Sequence, residues 1–286
     1  MRPPEITTRA LRRDPVQVVA VTGGKGGVGK STLSINLAVA SAAAGRRTVL
    51  LDGDLGLANA DVLLGITPRH TLAELITGHR TLDEVLTPVR PGLGIVAGAS
   101  GLLPLAELDE AGHVGIVRAF SDLTADLDLL LVDTAAGISP GVLQLTQAAQ
   151  HVVVVVCDDP ASVTDAYAVI KILSRHHGLR HFRVVSNMTQ EPQQGARLFD
   201  ALRRVTERFL DVTLEHSADI PSDELLRRAV REQRPVVEAF PGSPAVRAVR
   251  RLAGEMTAWS APEGRGNIGF FAERVSRPAP RLQVVR

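Results

Sequence analysis

With one cysteine, Cys157, in 286 residues, the chain can form no internal disulfide and no C-x-x-C metal site. Cys157 closes the apolar run Val152–Val156 and reads as a small buried residue. Aromatic residues make up 3%, which leaves little for stacking nucleic-acid bases. Neither sign of charge prevails. Lys and Arg number 32 against 31 Asp and Glu, for a net charge of +1, so no direct nucleic-acid partner is expected. No apolar run reaches the length of a membrane-spanning helix. Met1–Pro15 carries arginines and prolines without an apolar stretch and is not read as a signal peptide. The chain does have apolar mass. Hydrophobic residues make up 45%, enough for the core of one large domain or two small ones.

That mass is distributed in runs. Strands are expected at Val16–Thr22, Thr48–Asp52, Leu93–Ala97, Leu127–Asp133, His151–Cys157 and Phe182–Asn187, with a shorter one near Val212–Leu214. Most are continuous apolar runs, as parallel strands covered on both faces require. Helices are expected between them at Thr32–Ala44, Glu107–Ala125, Gly141–Gln150, Val163–His176, Gly195–Leu210, Asp223–Glu232 and Ala245–Trp259. This alternation implies an α/β fold, a doubly wound, mostly parallel sheet with helices on both faces. Such sheets bind ligands beyond the carboxyl ends of their strands. The expected organisation is an N-terminal extension at 1–15, a main α/β domain at 16–259, a linker at 260–266, an amphipathic helix at 267–277 and a tail at 278–286.

The first strand runs into Gly23-Gly24-Lys25-Gly26-Gly27-Val28-Gly29-Lys30-Ser31-Thr32 and then a helix. From Gly24 this reads G-x-x-x-x-G-K-S, a phosphate-binding loop in its strand–loop–helix setting. Glycines let successive backbone N–H groups turn toward one anion, and the helix presents its positive end to the same phosphates. Residues Gly24 to Thr32 are therefore candidate nucleotide contacts. Lys30 is expected to reach the β- and γ-phosphates, and the Ser31 hydroxyl to hold Mg²⁺. An ordinary phosphate loop has no need of the further lysine, Lys25.

The second strand ends in Asp52-Gly53-Asp54 beside this loop. A carboxylate there can orient an attacking water. Asp54, on the loop side, is the better placed, and it joins the candidate metal set. Asp52 would tune the Mg²⁺ site. Both residues also suit turns and helix caps. The run Leu129-Leu130-Leu131-Val132-Asp133 has the form of a Walker B strand, whose acid reaches Mg²⁺. At the end of the sixth expected strand, Asn187 can pair with adenine or serve as a cap. Pro221 and Asp223 equally suit a helix start.

Near the C-terminus, Ile268, Phe271, Ala272 and Val275 stand at i, i+3, i+4 and i+7, one helical face, with Arg274 and Arg277 beside it. Phe270 falls off that face. A basic amphipathic helix after a linker reads as a membrane-surface element, or as a helix docked on its own domain. Ile268, Phe271, Arg274 and Val275 are the candidate lipid contacts.

The wording K-G-G-V-G-K-S-T resembles the deviant phosphate loop of the MinD/ParA ATPases. The phrases L-L-D-G-D-L-G-L-A-N-A-D-V-L-L-G, V-D-T-A-A-G-I, T-D-A-Y-A-V-I-K and F-F-A-E-R-V are similar to the FleN/FlhG branch, which sets flagellar number in polar-flagellated bacteria. The resemblance runs from about Val16 to Arg277. It implies a slow ATPase using ATP and Mg²⁺ that forms an ATP-bound homodimer, with Lys25 crossing to the partner's nucleotide and Asp54 positioning water. Asn59 matches a switch residue facing the partner subunit, Thr134–Gly137 matches the second switch, and 220–223 lies where MinD-like proteins close over adenine. Further implied are a FleQ-like transcription activator and an FlhF-like GTPase as partners. The implied location is cytoplasmic, peripheral on the inner face of the cytoplasmic membrane, with contact to anionic lipid when ATP is bound. Many members carry an N-terminal D-Q-A-x-x-L-R element that stimulates FlhF. Here only Arg9-Ala10-Leu11-Arg12-Arg13 stands there, so that stimulation is not implied. The competing readings are a division-site MinD, a ParA-type partition ATPase, which would need a basic DNA-binding face, and a P-loop metabolic ligase, which would need a small-molecule pocket.

Overall fold

A computed structural model of the chain describes residues 15–56, 58–98, 110–260 and 269–271. Eight strands form one sheet in the order β3-β4-β2-β5-β1-β6-β7-β8. They are β1 (Gln17–Thr22), β2 (Thr48–Gly53), β3 (Thr87–Arg90), β4 (Leu93–Val96), β5 (Leu129–Thr134), β6 (His151–Val156), β7 (His181–Thr189) and β8 (Thr213–Pro221). All neighbours are parallel except β3, which runs antiparallel to β4 at one edge. Strand β1 lies between β5 and β6. The chain winds outward from it in one direction through β2, then returns and winds in the other. The carboxyl end of β1 is thus a topological switch point, where open α/β sheets place their ligand.

Alternate residues of each strand face opposite layers. Val19 and Val21 of β1, with Leu129 and Leu131 of β5, pack toward α1 (Lys30–Ala43) and a late helix, Pro244–Glu255. Val18, Ala20, Leu130 and Val132 pack on the other face against Leu72, Ile116, Phe120 and Leu145. Both sets are essentially fully buried, which is why the central strands read as unbroken apolar runs.

In chain order the remaining helices are α2 (Ala60–Leu64), α3 (Leu72–Ile76), α4 (Leu82–Val85), α5 (Glu110–Asp122), α6 (Pro140–Gln147), α7 (Pro160–His177), α8 (Gln194–Phe209), α9 (Glu224–Arg231), α10 (Val236–Ala239) and α11 (Pro244–Glu255). Most starts are written in the sequence. Asp159 caps α7 by accepting from the Ala161 N–H, Ser139 caps α6 and Ser243 caps α11, each followed by proline at the first turn.

The edges depart from expectation. Strand β3 contains Pro88 and is not among the expected strands; proline is tolerated on an edge strand, which needs no further donor. Strand β8 extends to Pro221, well beyond the expected 212–214, through the polar stretch Glu215-His216-Ser217. It is the other edge, and a bulge at Ser217 interrupts its alternation. Short α2, α3 and α4 fill the stretch between β2 and β3.

Gly269–Phe271 form a turn. Phe271 has φ of 62°, and both rings are buried. Phe120 meets Phe270 edge-to-face at 5.2 Å and Phe271 at 6.0 Å. Ile268, Arg274 and Val275 lie outside the described residues, as does the N-terminal extension up to Asp14. Among the described residues no helix is long and apolar enough to cross a membrane.

Candidate functional site

The loop between β1 and α1 is built on glycine geometry. Gly27 and Gly29 have φ of 80° and 92°, the left-handed region that other residues enter only with strain. A Cβ on Gly29 would stand 2.2 Å from the Asn187 amide nitrogen, and one on Gly24 would stand 2.3 Å from the Asp165 backbone. Gly26 and Gly27 meet nothing within 4 Å on that side, which is the open face where phosphates would lie. Val28 is buried, and its carbonyl accepts the Asn187 Nδ2–H at 2.8 Å. Helix α1 then starts at Lys30 with its unpaired N–H groups facing the loop.

Lys30 is 7% exposed and donates to the Lys25 carbonyl at 3.2 Å. Burial pushes its ammonium below the usual lysine range, against the opposing pull of Asp133 and Asp54. Lys25 reaches the other way. Its ammonium is ion-paired with Asp159 at the start of α7, in the same chain.

Two acids meet beneath the loop. Asp52 of β2 and Asp133 of β5 are register partners in adjacent parallel strands, and both are 1% exposed. Desolvation pushes Asp52 up to about 6, although three backbone N–H groups, those of Ala60, Asp54 and Asn59, donate to it. Desolvation and the charge of Asp52 push Asp133 up to about 7, opposed by the Ser31 and Ser34 hydroxyls and Lys30. Ser34 Oγ donates to Asp133 Oδ1 at 3.0 Å. Asp133 Oδ2 is buried with no hydrogen-bond partner among the described residues.

These features answer whether Mg²⁺ and a triphosphate fit. A buried carboxylate oxygen lacking a partner, a neighbouring serine hydroxyl and a buried ammonium are the donor set a hard cation and its phosphates require. Asp133 and Ser31 are the residues that would hold Mg²⁺, and Lys30 and the loop N–H groups the phosphates. Asp54 is half-buried beyond the end of β2, on the same side. Asn59 is exposed and starts α2.

A cavity of about 100 Å³ lies beside the loop, lined by Gly29, Asn36, Asn187, Met188, Pro221 and Leu226 among others. Asn187 faces it with its Nδ2 already given to Val28. Asp223 also borders it, but its carboxylate is spent on capping. One oxygen accepts from the Leu225 N–H at 2.9 Å and the other from the Ala245 N–H at 3.1 Å. The helix-start alternative for Asp223 is the one its geometry displays.

Reading the sequence missed three contributors. Asp159 was legible as a cap before Pro160, not as the partner of Lys25, 134 residues away. Ser34 lies one turn into α1 and looks like ordinary helix content. Met188 occupies a β-bulge that no local pattern announces.

The switch-point loop, the buried acid pair and the flanking cavity define a P-loop NTPase. The CobQ/CobB/MinD/ParA nucleotide binding domain matches residues 19–236, and the chain belongs to that family. It is 53% identical over 267 residues to the antiactivator FleN of Pseudomonas aeruginosa, covering 93% of this chain and 95% of that protein. It is 32% identical to the flagellum site-determining protein YlxH of Helicobacter pylori, covering 82% and 80%. Among solved structures it is similar to the septum site-determining protein MinD complexed with Mg-ADP from Pyrococcus horikoshii. That match has a TM-score of 0.72 and 25% identity, and covers 85% of this chain and 97% of that one. The chain is therefore a MinD/ParA-type ATPase.

Proposed function

We propose that the chain is an ATP-driven dimerising switch that limits flagellar number and placement by restraining a FleQ-like transcription activator, with an FlhF-like GTPase as a second partner. The observation that carries this reading is the 53% identity to the antiactivator FleN across nearly the full length of both chains. YlxH, named for determining the flagellum site, points the same way.

Within this reading the loop N–H groups and Lys30 would hold the phosphates of ATP, and Ser31 and Asp133 would hold Mg²⁺, which would supply charge neutralisation for phosphoryl transfer. Asp54 positions the attacking water. Lys25 leaves Asp159 and reaches the nucleotide of the partner subunit, and Asn59 follows that nucleotide's γ-phosphate. Because Lys25 has an intrachain partner in the monomer, dimerisation exchanges one ion pair for another. Binding of the C-terminal segment to an anionic membrane surface accompanies the ATP state.

The experiment is a count of flagella per cell by electron microscopy in a strain lacking the gene, complemented by wild type or Lys25→Ala. The expected result is excess flagella in the null strain, corrected by the wild type alone. A null strain with the parental number sinks the reading.

A further inference from the structure

We propose that Met188 is a contact platform for the nucleotide base, held in place at the expense of backbone strain. Three non-glycine residues among those described have positive φ: Met188 at 59°, Gln233 at 53° and Phe271 at 62°. Gln233 is accounted for by the end of α9, where the next N–H, that of Arg234, bonds back to Ala229 O. Met188 is at no helix end. It is the extra residue of a bulge between β7 and β8, where Asn187 pairs with Ile220 and Thr189 with Pro221. A bulge residue in this conformation is ordinarily glycine, and a long side chain there is strained.

The strain has a visible result. Asn187 and Thr189 are buried, whereas Met188 is 43% exposed. Its side chain lines the cavity beside the phosphate loop, with its methyl carbon 3.4 Å from where a Gly29 Cβ would stand. A flexible, polarizable thioether is thus aimed into an apolar slot next to the phosphates, the chemistry that contacts an aromatic ring. Strain held at a ligand site by surrounding structure is a functional signature. Met256 is fully buried in the core, so Met188 is the exposed methionine among the described residues.

This inference rests on ATP being the ligand, and its test separates the two. The full chain and the variants Met188→Leu, Met188→Asn and Met188→Gly are titrated by calorimetry with Mg-ATP and with Mg-tripolyphosphate, which lacks a base. Thermal midpoints are taken without ligand. Asn and Gly tolerate the left-handed conformation. We expect both to keep or raise the midpoint and to bind ATP about three- to tenfold more weakly, with tripolyphosphate unchanged. Leu, which keeps an apolar surface, should stay within about twofold of wild type. The inference is overturned if Asn and Gly bind ATP like wild type, or if tripolyphosphate binding falls in parallel. It is equally overturned if the midpoint falls with affinity, since Met188 would then be a structural residue. Failure of the wild type to bind ATP would instead strike the nucleotide reading itself.

Discussion

Asp52 and Asp133 face each other across adjacent parallel strands, both buried and both with raised pKa values, about 6 and about 7. Without a cation, the folded state holds protons on these groups at pH values where the unfolded chain, near 3.8, has released them. The folded state then binds more protons, and stability falls as pH rises from about 4 through about 7. We predict a higher thermal midpoint for nucleotide-free protein at pH 5.5 than at pH 7.5. Mg-ATP should raise the midpoint most at the higher pH. Asp133→Asn should flatten the dependence, and an unchanged slope in that variant would place the titration elsewhere.

Lys25 is expected to serve two partners in turn. Lys25→Ala should retain ATP binding through Lys30 and lose the ATP-dependent dimer. Asp159→Ala frees Lys25 and should ease dimerisation. The ion pair is about two-fifths exposed on each side, so solvent screens it and the gain is modest. Light scattering with ATP reads both, and a persistent Lys25→Ala dimer rejects the crossing role.

Asp54→Ala should bind ATP with near-normal affinity and slow its hydrolysis by at least about a hundredfold, because a lost water-positioning group acts on turnover and not on binding. Phosphate release under single-turnover conditions tests it. A variant hydrolysing near the wild-type rate would make Asp54 a turn residue.

The central sheet was legible because burial on both faces leaves a continuous apolar signature, as in Leu129–Val132 and Val152–Val156. The phosphate loop was legible because its glycines are dictated by backbone geometry, and Gly27 and Gly29 do hold positive φ. Edge strands carry no such mark. Pro88 in β3 and the bulged β8 satisfy only one neighbour each, so their composition is free to look like loop. Contacts across long sequence distances, such as Lys25 with Asp159 or Ser34 with Asp133, depend on strand order and have no local trace. The seating of Phe270 was hidden for a related reason. Helical spacing put it off the apolar face, whereas a turn at Gly269–Phe271 buries both rings.

That seating shapes the last prediction. Phe270 and Phe271 each pack on Phe120 of α5, inside the core layer that holds Leu72, Ile116 and Leu145. Burying two phenylalanines is worth on the order of 3–6 kcal/mol, less the cost of ordering the chain that bears them. The same rings cannot pack here and enter a lipid surface at once. If the segment meets membrane in the ATP state, the docked and released states compete, and ATP must favour release. Phe120→Ala weakens the dock while leaving the C-terminal segment intact. It should lower the thermal midpoint and let the protein sediment with anionic liposomes without ATP. Phe271→Glu should lower the midpoint too, and abolish liposome binding with or without ATP. Salt should weaken the binding in wild type, since arginine attraction to headgroups is screened. Deleting everything after Gly266 should remove liposome binding altogether. Should that truncation still sediment with liposomes in an ATP-dependent way, the two phenylalanines are core residues and nothing more.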